Sequence, residues 1–186
     1  MNAKNWGVRL AEKKVSQWPL STPQTFVWDE ALFRGITVNA PIKTVFRWLC
    51  QLRVAPYSYD WIDNLGRKSP SCLTPGCENL QVGQRVMTIF QLAAFEQDHF
   101  LQLVPNERCP KRLFGNLVVT YRCVPQGPAV TRLLVRLDLK YQGSGFGHWA
   151  RLWLPWGDLL MMRKQFFTFR TLAETAAASN YLSDNS

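Results

Sequence analysis

Residues 131–141, TRLLVRLDLKY, alternate with a period of two. Leu133, Val135, Leu137, Leu139 and Tyr141 fall on one face, and Arg132, Arg136, Asp138 and Lys140 on the other. Successive side chains of a strand point to opposite sides, so this run calls for a sheet with one face on a core or cavity and the other in water. The run before it, GNLVVTYRCVPQGPAV, reads as a second strand, and the turn near Pro125–Pro128 joins the two as a hairpin. An apolar sheet face needs a cover, and the chain supplies one shortly afterwards. Leu159, Met162, Phe166, Phe169, Ala173 and Ala176 step by three and four residues, with Asp158 as the expected N-cap. That spacing predicts a long amphipathic helix of about 30 Å.

Upstream, Ile36 and Val38 alternate with Gly35, Thr37 and Asn39 in a half-buried strand, LFRGITVNA. Pro41 then fits the first position of a helix carrying Ile42, Val45, Phe46 and Leu49, with Asn39 or Ala40 at its cap. A second short helix is expected to begin within APYSYDWIDNLGR, residues 55–67. After a Gly/Pro-punctuated loop, Gly83 marks a turn, and two apolar runs between residues 85 and 104 read as strands. The order is one strand, two short helices, several antiparallel strands and a long helix, which is an α+β arrangement. Residues 1–30 form an N-terminal extension, residues 31–178 the domain, and residues 179–186 a flexible tail.

A chain of 186 residues suits one ordinary domain, and 47% hydrophobic with 19% charged residues suits a globular one. The net charge of +9 is spread from Lys4 to Arg170 rather than gathered into a stripe with exposed rings. Nucleic acid is therefore not the expected partner, although anionic surfaces are attracted. No leader-like segment opens the chain and no run of about 18 apolar residues occurs, so a cytoplasmic protein is expected. The five cysteines then read as reduced thiols.

ITVNAPIKTVFRWLCQL, followed by YSYDWIDNLGR, LQVGQRV and the ending MMRKQFFTFRTLAE, resembles the START/Bet v 1-like superfamily, the SRPBCC group. It is most similar to the branch labelled polyketide cyclase or dehydrase-like. The resemblance spans about residues 32–176, and Gln84 stands where that branch usually has Asp. It implies a helix-grip fold, in which a curved antiparallel sheet wraps around a long C-terminal helix. The cavity between them would hold a hydrophobic or amphipathic small molecule such as a lipid, a polyketide or an isoprenoid-like compound. No cofactor is implied.

Within that frame Tyr57, Tyr59, Trp61, Tyr121, Met162, Phe166 and Phe169 are candidate ligand-binding residues, with a filled core as the plain alternative. A cyclase or dehydratase reaction would need proton-transfer groups, for which Asp60, Asp63, Glu96 and His99 are the candidates. Asp60 and Asp63 serve equally as acids at a helix start. By strand parity His99 shares the face of Leu101 and Leu103, where a satisfied core histidine is the commoner case. Cys72 and Cys77 lack a second close pair, so no metal site is expected. Trp149, Trp153 and Trp156 precede the long helix as a buried connector or as a contact with an anionic membrane. Ligand binding is favoured over catalysis, and whether the chain is an enzyme stays open.

Overall fold

In a computed structural model, residues 30–58, 68–107, 116–140 and 145–184 are described. Within the last helix, side chains are described at residues 161–179 and at Tyr181.

Strand β1 (Glu30–Val38) leads into helix α1 (Ile42–Cys50), which tightens into a 3-10 turn at Gln51–Arg53. Strands β2 (Arg85–Val86), β3 (Phe90–Glu96), β4 (Phe100–Pro105), β5 (Asn116–Gly127) and β6 (Val130–Lys140) follow. Helix α2 (Gly145–Asp184) closes the chain. The six strands are antiparallel in the order β1-β6-β5-β4-β3-β2, so the first strand pairs with the last. Register shifts interrupt the ladders at Leu92/Ala94 and Pro125/Gly127, the kind of irregularity that bends a strand locally.

The β5–β6 hairpin forms where the sequence places it, with Gly127 opposite Val130. Its inward rows pair Leu117 with Leu139, Val119 with Leu137, Tyr121 with Val135 and Cys123 with Leu133. These meet Phe46 and Leu49 of α1 and Met162, Phe166, Phe169 and Ala173 of α2 in one core. Met162, Phe166, Phe169 and Ala173 of the predicted stripe are thus buried and Ala176 is partly buried, while the Leu159 side chain lies outside the described residues. Gly83 adopts φ +85° at the expected turn, a conformation that costs a residue without a Cβ very little.

Four expectations need adjustment. Pro41 is the N-cap of α1 rather than its first helical residue; its ψ of 149° is extended, while its carbonyl already accepts the Val45 N–H at 3.1 Å. Asp158 does not start the last helix, which begins at Gly145 and runs 40 residues, about 60 Å. Pro155, Gly157 and Asp158 look like a helix start in sequence, yet a proline inside a helix forfeits one hydrogen bond rather than necessarily ending it. The same helix continues through the expected tail to Asp184. Finally, Asp138 on the outward face of β6 is only 1% exposed, although alternation assigns it to water. The second short helix falls largely on residues 59–67, outside the described residues; the described chain after α1 has the 3-10 turn alone.

Candidate functional site: an aromatic cluster between sheet and helix

Helix α1 carries Trp48 on its buried face, and the chain then turns through Ala55 and Pro56 into Tyr57. Tyr57 has φ +57°, the left-handed region that residues other than glycine seldom occupy. The conformation is held from both sides. Its ring meets Trp48 edge-on at 6.4 Å between centroids and Phe169 of α2 at 5.3 Å.

A buried amide ties the cluster together. The Tyr121 hydroxyl, reaching from β5, donates to Oε1 of Gln165 at 2.9 Å, and Gln165 Nε2 donates to the Pro56 carbonyl at 2.5 Å. One side chain of α2 therefore fixes both the sheet and the segment that presents Tyr57. Trp48 Nε1 is buried and finds no hydrogen-bond acceptor among the described residues. Buried indole N–H groups usually find a partner, which sets this donor apart in an otherwise apolar wall.

The floor below α1 is built in the same way. Gln51 is buried, and its amide exchanges hydrogen bonds with the backbone of Thr74, at 2.9 Å for the N–H and 3.4 Å for the carbonyl. Arg53 donates to the carbonyls of Gly76, Cys77 and Asn79. The loop over residues 74–79 is thus pinned to the end of α1. At the far end of α2, the Asn39 N–H donates to Glu174 Oε1 at 2.8 Å and locks the strand-to-helix corner to the last helix.

Tyr57, Tyr121, Met162, Phe166 and Phe169 all belong to this one buried cluster. Tyr59, Trp61, Asp60 and Asp63 lie outside the described residues, and of Trp149, Trp153 and Trp156 only the helical backbone is described. Glu96 and His99 are not in the interior. They sit on the β3–β4 turn with side chains 62% and 55% exposed, Glu96 Oε1 lying 3.7 Å from His99 Nδ1. The parity that placed His99 inward assumes an unbroken strand; the turn at residues 97–99, with Asp98 at φ +62°, interrupts the alternation.

Cys50, Cys72, Cys77 and Cys123 are free thiols, with Cys72 exposed and the others buried. Burial, reinforced by Glu78 and Cys77, pushes the Cys50 thiol up to about 12. Burial also raises Cys77 and Cys123, so these three are neutral thiols near pH 7 and poor nucleophiles. Among the described residues no group of three His, Cys, Asp or Glu could hold a metal.

Sequence reading missed Gln165 as a site residue, although its position carried a signal. It stands three residues after Met162 and four before Phe169, so it is a polar residue on the apolar stripe. The Pro56 carbonyl is a backbone group and left no such mark.

No protein-family model and no curated protein matches the chain. Solved structures do. The Zhui aromatase/cyclase from Streptomyces sp. R1128 superposes with a TM-score of 0.53 at 16% identity, covering 78% of this chain and 93% of that one. A protein from Mesorhizobium loti gives 0.50 at 15% identity, with 78% and 98% covered. One from Chromobacterium violaceum gives 0.50 at 11%, with 77% and 96% covered. At such identities the likeness is one of fold: the chain has a helix-grip fold like that of the Zhui aromatase/cyclase.

Proposed function

Starting from that helix-grip fold, we propose that the protein binds a hydrophobic or amphipathic small molecule between the sheet and α2, of lipid, polyketide or isoprenoid-like class. One observation carries the reading. A wall of Tyr57, Tyr121, Phe166 and Phe169 contains a fixed polar edge, the Tyr121–Gln165–Pro56 hydrogen bonds, beside a Trp48 N–H that has no acceptor among the described residues. Small-molecule sites combine apolar walls with a few oriented polar groups, and an amphipathic molecule would place its own acceptor on such a donor. Tyr59 and Trp61 extend the same wall in this proposal.

Nothing favours proton transfer by Glu96 or His99, which stand on an exposed turn. The proposal is therefore carriage or sensing of a ligand, with residues 31–178 as the binding domain. Among the described residues no helix is long and apolar enough to cross a membrane. A cytoplasmic protein that meets anionic membranes through Trp149, Trp153 and Trp156 completes the proposal. Retention on anionic liposomes should weaken with added salt and with Trp153→Ala; indifference to both removes the membrane part.

The test of binding is native mass spectrometry of the protein purified from its own source, with organic extraction of the same sample. One apolar molecule per chain is expected. Repeatedly empty spectra with an empty extract would count against the reading.

A further inference from the structure

Charge is what the interior lacks. Among the described residues, the buried polar side chains other than those on the outward rows of the sheet are Gln51, Ser58, Thr131 and Gln165, none of them ionisable. Gln51 is engaged with the Thr74 backbone, Thr131 with the Ala40 carbonyl at 2.9 Å, and Gln165 with Tyr121 and Pro56. Basic side chains on the inward rows of the strands reduce, among the described residues, to Arg34, opposite Val135. It lies on the edge strand, outside the core cluster, and its Nη1 donates to the Phe33 carbonyl at 2.9 Å.

The buried thiols report the same environment. Burial is the first cause that pushes Cys50, two residues after Trp48, up to about 12. It also raises Cys123, on the inward row of β5. Both shifts mean that these surroundings resist a negative charge. A carboxylate brought among them would lose its water and gain no counter-cation in return.

A neutral oxygen asks for less: one donor is enough. Trp48 can supply it, being 3% exposed, edge-on to Tyr57, and without an acceptor for Nε1 among the described residues. An indole has one N–H and accepts nothing, so it recognises an acceptor and no other group. The Tyr121 hydroxyl gives its single proton to Gln165 and can only accept from a ligand. The cluster is therefore built to meet one interior acceptor, and it offers an anion no partner of opposite charge.

We infer that the bound molecule is uncharged and carries a carbonyl, ether or hydroxyl oxygen that accepts the Trp48 N–H, which excludes free fatty acids and other anions from the site. The inference rests on the proposed binding between sheet and α2. It narrows the ligand class from amphipathic molecules in general to ketones, esters, ethers and alcohols. Trp48 is then the specificity-determining residue, since it separates such a molecule from a plain hydrocarbon of the same shape.

The test uses the full chain and three probes of similar length, undecan-2-one, undecane and decanoate, each displacing the neutral fluorophore N-phenyl-1-naphthylamine at about pH 8. Undecan-2-one should bind about tenfold more tightly than undecane, the effect of one hydrogen bond to a donor otherwise left buried and unmet. Decanoate should bind at least about tenfold more weakly than undecan-2-one. Trp48→Phe should bring undecan-2-one and undecane to within about twofold of each other. That ratio is taken within one protein, so a general loss of affinity in the variant cancels, and the wild-type ratios decide alone should the variant not fold. Equal affinities for undecan-2-one and undecane, or a ketone preference that survives Trp48→Phe, would overturn the inference and leave ligand binding standing. So would decanoate as the tightest probe; its loss on Arg34→Met would place an acid at the edge strand instead. If neither the fluorophore nor any probe binds, the proposed function itself fails and the inference falls with it.

Discussion

Two faces of the same strands, β4 to β6, differ in how well their sequence foretells their burial. The inner face carries Leu101, Leu103, Val119, Tyr121, Val135 and Leu137 and is covered by helices that the sequence announces. The outer face carries Gln102, Thr120, Arg136 and Asp138, reads as solvated, and is largely buried too. Alternation says which residues share a face. It does not say what lies above that face. Polarity is a poor guide here because each buried polar group can be satisfied locally: Arg136 holds Asp138 at 2.7–2.8 Å, and Gln102 donates to Thr120 Oγ1 at 3.4 Å.

The largest expected effect belongs to the inner face. Phe169→Ala should cost about 3–5 kcal/mol in urea denaturation, because the ring is fully buried against Tyr57 and little can collapse into its place. A loss below about 1 kcal/mol would mean the ring lines open space rather than a filled cluster.

A matched pair of amide deletions sharpens the contrast. Gln165→Met removes the link that satisfies both the Tyr121 hydroxyl and the Pro56 carbonyl, and should cost about 1–3 kcal/mol. Gln102→Met on the outer face removes one long bond and should cost less than about 1 kcal/mol. Equal losses would erase the distinction between the two faces.

The smallest effect is a pH dependence. Desolvation raises the Asp138 carboxyl above its ordinary 3.8, more than its Arg136 hydrogen bond and charge lower it. The folded state therefore holds this proton more tightly than the unfolded one. The resulting stability is fully present below the unfolded value and is lost as pH rises through the higher folded value. Asp138→Asn should remove that slope while changing stability near pH 7 by about 1 kcal/mol or less, since Arg136 keeps some access to water. The difference between wild type and variant, followed by thermal unfolding from pH 3 to 7, reads it out; parallel curves would show that Asp138 is not buried as described.

Much of the architecture was legible in the chain. The period-two run at 131–139, the hairpin turn and the 162–173 stripe each reflect one physical regularity, the burial of one face, and each appears in place. The start of α2 was not legible, because Pro155, Gly157 and Asp158 carry helix-start chemistry inside a helix that continues through them. His99 was misplaced because a three-residue turn breaks parity without any glycine or proline to mark it. Of the site, the rings could be named from their spacing. The hydrogen bonds could not, since Gln165 acquires its role only when α2 lies across β5 and the Pro56 carbonyl.

The most direct test of the central claim is a crystal structure of the protein purified from its own source. Ligand binding between sheet and helix predicts continuous density for an apolar molecule bounded by Tyr57, Tyr121, Phe166 and Phe169. It also predicts an acceptor atom on Trp48 Nε1 and a Tyr57–Phe169 centroid separation greater than the present 5.3 Å. Rings still in contact at that distance, with no density among them and no acceptor at Trp48, would contradict it.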